Sequence, residues 1–243
     1  MRRFGLVFAF LVFVAACSHK PATVAVPPAP PIQQPSSTPS TAPTAADSVP
    51  AENIPIPPEA KPILVETGIA SWYGPPYHNR KASNGEIYDM NAMTAAHRTL
   101  PLGSIVRVTN VNGGESCVVR ITDRGPFIEG RIVDLSKAAA EKLELVRRGT
   151  GPVRLEVLTT PAPIGTGGKW AVQIGGFGHE EDARDLAGHL SRQYHTAKVL
   201  TFNSPAGDWW VRVRVKDDLR ARAEEVMHDA KVSEGGIFLV RLD

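Results

Sequence analysis

Between Lys20 and Pro62 the chain consists of Pro, Ala, Ser and Thr with almost no large side chains, and more than half of its 21 prolines lie there. A segment of this composition has too little apolar surface to offset the entropy lost on ordering it. It is expected to be a semi-extended tether, which at ~3 Å per residue reaches on the order of 100 Å. Compact structure is therefore confined to the residues after Pro62. The chain divides into a leader (1–16), an N-terminus and tether (17–64), a first folded unit (65–160), a glycine-rich break (161–168) and a second folded unit (169–243).

In the first unit the strand signals are short and β-branched: Thr67–Trp72, Ser104–Val111, Cys117–Thr122 and Val153–Leu158, separated by turn formers such as Asn112-Gly113-Gly114 and Gly125-Pro126. Two helical pieces are expected, one around Met93–Ala96 and a stronger one over Ser136–Leu145, where Ser136 is placed to cap the helix. Many short strands with one or two small helices in about ninety residues predict a small mainly β barrel. Cys117 lies among Val and Ile, which favours a small buried hydrophobe over a reactive thiol.

The second unit reads strand (Trp170–Gly175), helix (Glu180–Tyr194), strand (Ala197–Phe202), strand (Trp209–Val215), helix (Leu219–Ala230), strand (Ile237–Leu242). This βαββαβ order predicts an α+β ferredoxin-like sheet with both helices on one face. Strand alternation turns Val211, Val213 and Val215 towards the helices. Trp210, Arg212 and Arg214 are then expected on the open face beside Gln173.

At the start of the chain, Arg2 and Arg3 precede an apolar run, Phe4 to Phe13, that is too short to cross a bilayer as a helix. It ends in Val14-Ala15-Ala16-Cys17 and resembles a bacterial lipoprotein signal, cut before a cysteine that is then lipidated. A chain beginning at lipidated Cys17 would be anchored by that lipid. Ser18 stands where many inner-membrane lipoproteins carry Asp, so the expectation is the inner leaflet of an outer membrane, facing the periplasm. The formal charge of +2 rests on Arg2 and Arg3. The processed chain is near neutral and offers no electrostatic basis for binding nucleic acid.

Three stretches are richer in functional residue types than a bare barrel requires: Ser71-Trp72-Tyr73-Gly74 with Tyr77-His78; Ser83-Asn84-Gly85-Glu86 through to His97; and Asp123-Arg124-Gly125-Pro126-Phe127. Aromatic rings among polar side chains suit a sugar groove, since pyranose CH faces stack on rings while polar groups bind hydroxyls. A carboxyl held near such rings has a raised pKa and can act as a general acid. Taken singly, each residue has a plainer reading. Asp123 can be a turn former, Glu86 a solvated hairpin residue, His97 a surface residue at a helix end, and Trp72 and Tyr73 core.

Together the lines GIASWYG, HNRKASNGEIYDMNAMTAAHRTLPLG, VRVTNV and DRGPFIEGRIVDLSKAAA resemble the rare lipoprotein A family across the first unit. The second unit is similar to the SPOR domain, notably in Val172-Gln173-Ile174-Gly175-Gly176-Phe177, though Lys216-Asp217-Asp218 departs from that domain's usual ending. The resemblance implies a double-psi β-barrel followed by a SPOR domain that binds peptidoglycan. It also implies lytic transglycosylase activity, in which the muramic C6 hydroxyl attacks its own C1 and leaves a 1,6-anhydro end on peptide-stripped glycan. Carried over residue by residue, it places the active site at Glu86, His97 and Asp123. Asp123 becomes the acid–base residue, Glu86 the second carboxylate, and His97 the residue orienting one of them. Tyr73, Tyr77 and Asn84 are expected to bind glycan in the barrel, and Gln173, Trp210, Arg212 and Arg214 in the second unit. No cofactor and no metal is expected, since no Cys/His ligand spacing is present. Implied partners are peptidoglycan strands, a membrane through the lipid anchor, and division-site proteins. The rival reading is a non-catalytic, expansin-like wall-binding lipoprotein, which needs the aromatics but not the joint presence of Glu86, His97 and Asp123. Binding of RNA by the second unit is disfavoured by export, near-neutral charge and the lack of aromatic RNP residues.

Overall fold

The computed structural model describes residues 60–232 and 234–243. The leader, Cys17 and the tether up to residue 59 lie outside the described residues. The first unit is a closed barrel of six strands: β1 (Leu64–Trp72), β2 (Thr94–His97), β3 (Ile105–Asn110), β4 (Ser116–Asp123), β5 (Arg131–Leu135) and β6 (Thr150–Thr159), in the order β1-β5-β2-β4-β3-β6. The pairs β1–β5 and β2–β4 are parallel and the other four antiparallel. Parallel neighbours cannot be joined by tight hairpins, so the connections cross the barrel and bring distant sequence together. Alternate residues fill the interior: Val106, Val108, Val119, Ile121, Val133, Leu135, Val153, Leu155 and Val157 are fully buried.

Helix α1 (Lys137–Lys142) covers one end, its first turn capped by Ser136 Oγ, which accepts from Ala139 N. Cys117 is buried beside it and burial pushes its thiol up to about 12, which makes it chemically quiet.

One local expectation fails, and one strand is without a signal. Residues Met93–Ala96 do not start a helix. Thr94–His97 is a strand clamped between β4 and β5, because pairing on both sides outweighs the helix preference of Met and Ala. Strand β5 carries only five residues, and its pattern holds no separate strand signal beside the helix that comes after it.

The second unit consists of β7 (Trp170–Phe177), α2 (Glu180–Gln193), β8 (Lys198–Asn203), β9 (Trp209–Arg214), α3 (Arg220–Asp229) and β10 (Gly236–Arg241), with the all-antiparallel sheet order β10-β7-β9-β8. Val211, Val213 and Val215 pack with Ala183 and Leu190 of α2 and Ala223 and Val226 of α3. In the Gly175-Gly176 step of β7 the register against β9 shifts. A Cβ on Gly175 would stand 2.8 Å from Trp209 O, and its φ of +135° also favours glycine.

The sheet's other face, expected to be open, is covered by the barrel. Trp210 is 7% exposed, with its ring 5.4 Å from that of Phe127, and Phe238 lies 5.8 Å from the same ring. Arg98 stands over Phe238 at 5.5 Å. Polar bonds fix the join: Arg241 N donates to Arg98 O, Leu102 N to Asp243 O, and the buried Arg124 guanidinium to His97 O, Leu100 O and Asp243 O. Arg124→Ala should therefore leave three carbonyls without their charged donor. The expected result in urea unfolding is a loss of about 3 kcal/mol and separation of one cooperative transition into two. A single transition at the wild-type midpoint would show that this bond set does not couple the units.

Candidate active site

A cavity of about 590 Å³ opens between the barrel wall and the second unit. Its floor follows from strand register. Ala96 on β2 pairs with Asp123 on β4 at one side and with Asp134 on β5 at the other. Residues in register across neighbouring strands share a face, so both carboxyl groups rise from the same surface. Their backbones are about 10 Å apart, two strand spacings. Ala96 between them has only a methyl group, which leaves room for a ring. Trp72, Tyr73 and Tyr77 form the aromatic wall. Tyr73 stacks on Tyr88 with centroids 4.2 Å apart and meets Tyr77 edge-on at 5.7 Å.

The two carboxyl groups sit in different surroundings. Asp123 Oδ1 accepts from Ser83 N, Ser83 Oγ and Arg124 N, which fixes its plane. Asp134 is sunk deeper. Its Oδ2 accepts from Arg131, while its Oδ1 is buried without a hydrogen-bond partner. Burial pushes the Asp134 carboxyl up to about 6, against the pull of Arg131. A carboxyl whose pKa is raised towards neutrality and that lines a cavity has the properties a general acid requires. The sequence carries no signal for Asp134: within Ile132-Val133-Asp134-Leu135-Ser136 nothing local separates it from an ordinary strand-end residue.

Other expected site residues lie elsewhere. Glu86 is exposed and gripped by both terminal nitrogens of Arg120 at 2.9 and 2.8 Å, a bond that holds its carboxyl below the usual range. It does not line the cavity. Asn84 Oδ1 accepts from Glu86 N, so this side chain shapes the turn. His97 follows Ala96 on β2 and points to the opposite side. Its Nδ1 accepts from Thr99 N and Leu100 N, which leaves the proton on Nε2 to be donated to Glu66 at 3.2 Å. His97 therefore orients Glu66, and neither Asp123 nor Glu86 is its partner. In the second unit Gln173, Trp210 and Arg212 reach the cavity. Arg214 does not, being paired with Asp218.

A closed double-psi-type barrel with two carboxyl groups on the floor of its cleft, joined to a βαββαβ sheet, defines a two-domain class. Residues 65–155 match the family described as lytic transglycolase, and residues 166–240 match the SPOR domain. The chain resembles proteins that carry this pair of domains, each matching less than half of it. It is 49% identical over 136 residues to "Endolytic peptidoglycan transglycosylase RlpA" of Vibrio cholerae, covering 53% of this chain and 52% of that protein. The protein of the same name from Neisseria meningitidis serogroup B is 50% identical over 133 residues, covering 54% and 56%. The chain thus spans about half the length of the curated relatives it matches. Among solved structures, the Streptomyces papain inhibitor aligns with 44% of this chain and all of its own, at 22% identity and a TM-score of 0.34.

The Asp134 environment has a pH consequence. Its folded pKa of about 6 exceeds the ordinary 3.8, so between those values the folded chain binds more protons than the unfolded one. Its contribution is fully present below the unfolded value and is lost as pH rises through about 6. Asp134→Asn keeps an acceptor for Arg131 and removes the titration. From pH 4 to pH 7 the wild type should lose on the order of 2–3 kcal/mol relative to this variant in urea unfolding. Parallel stability curves would place Asp134 in a solvated setting instead.

Proposed function

We propose that the protein is a lytic transglycosylase that cuts the β-1,4 bond from N-acetylmuramic acid to N-acetylglucosamine in peptide-stripped peptidoglycan. The observation that carries this reading is the pair Asp123 and Asp134, facing one aromatic-walled cavity across Ala96, with one of the two held at a raised pKa. The names of the relatives, which describe endolytic cleavage of peptidoglycan, support the same substrate and cutting within strands.

In this mechanism Asp134 gives its proton to the glycosidic oxygen as the C1–O bond breaks. Asp123, immobilised by Ser83 and Arg124, stabilises the oxocarbenium-like charge. The muramic C6 hydroxyl then closes on C1, and its proton passes to the Asp134 carboxylate, which restores the acid. One C–O bond is exchanged for another and no water is consumed. The nucleophile belongs to the substrate, so the reaction gains the advantage of an intramolecular step. This moves the acid–base role, assigned to Asp123 on resemblance, to Asp134. Glu86 becomes a positioning residue: its clamp on Arg120 steadies the 81–87 turn that presents Ser83 to Asp123. His97 orders the Thr99–Leu100 backbone, next to the carbonyls that Arg124 holds.

The chain's place of work in this reading is the periplasm, attached through a lipid on Cys17 to the outer membrane, with the tether carrying the enzyme to the wall and division-site proteins as partners. Cys17→Ala should release the protein to the soluble periplasmic fraction, and retention at the membrane would refute the anchor.

The reaction is tested by mass spectrometry of stripped glycan after incubation with purified protein. Anhydromuramyl ends are expected, and strands left uncut would favour the expansin-like binder. Asp134→Asn and Asp123→Asn should each lower the rate by about 10²–10⁴ while the thermal melt shows a folded chain. Wild-type turnover by a folded Asp134→Asn protein would return the acid role to Asp123.

A further inference from the structure

The second domain reaches into the cleft of the first. The tip of the β8–β9 hairpin, from Asn203 to Asp208, lines the same cavity as Asp123 and Asp134, together with Gln173, Trp210 and Arg212. Two pairs of groups face each other across it. The Arg212 guanidinium is near enough to Asp123 to feel its charge, and Asp208 influences the Tyr77 phenol in the same way. The aromatic cluster of Phe127, Trp210 and Phe238 and the backbone bonds of Arg124 lock this arrangement.

Arg212 is set up to bind an anion. Its Nε and one terminal nitrogen donate to Gln173 Oε1 at 3.2 and 2.6 Å, and its plane lies 5.0 Å from the Phe202 ring centroid. The fork is thereby held in one orientation, bonded to a neutral amide and lying over an aromatic face, with the Asp123 carboxylate in range of its charge. A peptide-stripped muramyl residue carries a free lactyl carboxylate, whereas a peptide-bearing one carries an uncharged amide at the same atom.

We propose that the catalytic cleft is shared between the two domains, and that Arg212, supplied by the second, binds the lactyl carboxylate of a peptide-free muramyl residue held over Asp123 and Asp134. This rests on the transglycosylase reading for the identity of the glycan. It makes the second domain a wall of the active site, in addition to any role in targeting. A planar guanidinium already fixed in place loses little freedom on forming a charge-assisted bond to a carboxylate.

The test uses the full chain and soluble stripped fragments short enough to occupy one cleft, with a matched set whose lactyl carboxylates have been converted to methylamides. Wild type should show KM about 10-fold higher on the amide set, since a hydrogen bond to a charged group of this kind typically changes affinity by that factor or more. Arg212→Gln should raise KM on the carboxylate set about 10-fold with little change in kcat, and should no longer distinguish the two sets. Arg212→Lys, which keeps the charge, should recover part of the discrimination. Tyr77→Ala, from the opposite wall, should weaken the same short fragment. Calorimetric Kd values for the same pairs give the comparison independently of turnover. A wild type that binds but never yields anhydro ends would sink the transglycosylase reading, while the Kd ratios still decide Arg212. Unchanged KM and Kd in Arg212→Gln, discrimination retained by that variant, or indifference of the short fragment to Tyr77→Ala would each overturn the shared cleft. Faster turnover in Trp210→Ala would overturn it as well, by showing that the second domain obstructs the site.

Discussion

Taking a guanidinium out of water is costly unless its N–H groups find acceptors, and Arg124 finds them for both terminal nitrogens while its Nε stays without one. One terminal nitrogen binds the carbonyls of His97 and Leu100 in the barrel, and the other binds the carbonyl of Asp243 in the second domain. Its own backbone N–H holds Asp123. One residue therefore sets the plane of a cleft carboxylate, the path of the chain leaving β2, and the seat of the neighbouring domain. The aromatic join of Phe127, Trp210 and Phe238 lies close by and adds apolar burial to a geometry already fixed by directional bonds.

The βαββαβ half was legible because its periods are long and regular. Fourteen residues of α2 give a clear helical stripe, and the alternating valines of β9 separate one sheet face from the other. What alternation could not say is what lies against the second face. Trp210 and Gln173 are buried through contact with the preceding domain, and no local pattern carries that information. In the barrel the failures have one cause. Strand β2 is four residues of helix-compatible sequence, and β5 is five. Each is a strand because of its partners, and those partners are distant in sequence and partly parallel.

The same cause explains the site. Asp123 stands out in the sequence because Arg-Gly-Pro follows it. Asp134 does not, because its importance lies in sharing Ala96 as a neighbour with Asp123. Resemblance points to Glu86 and His97, and the structure gives both well-formed partners in Arg120 and Glu66. A carboxylate gripped by an arginine and held below its usual range is poorly suited to donate protons near neutral pH. A carboxyl raised to about 6 is well suited. In the proposed mechanism the distinction between holding the site and working in it follows from environment, since residue type alone does not separate one carboxyl from the other.

Placing the two carboxyl groups on strands has a mechanical consequence. Loop residues shift with their loop, whereas Asp123 and Asp134 can change their separation only if the β4–β2–β5 ladder shears. The second wall is different. The β8–β9 tip is an exposed hairpin whose turn, Ser204 to Asp208, is closed by its own short bonds. The cleft thus combines a rigid floor, where reacting atoms must be held to within a fraction of an ångström, with a wall on a separate domain. A glycan strand, the substrate proposed above, is long and would enter from the side. In such a cleft the spacing of the carboxyl groups is set by the barrel alone, whatever the hairpin does.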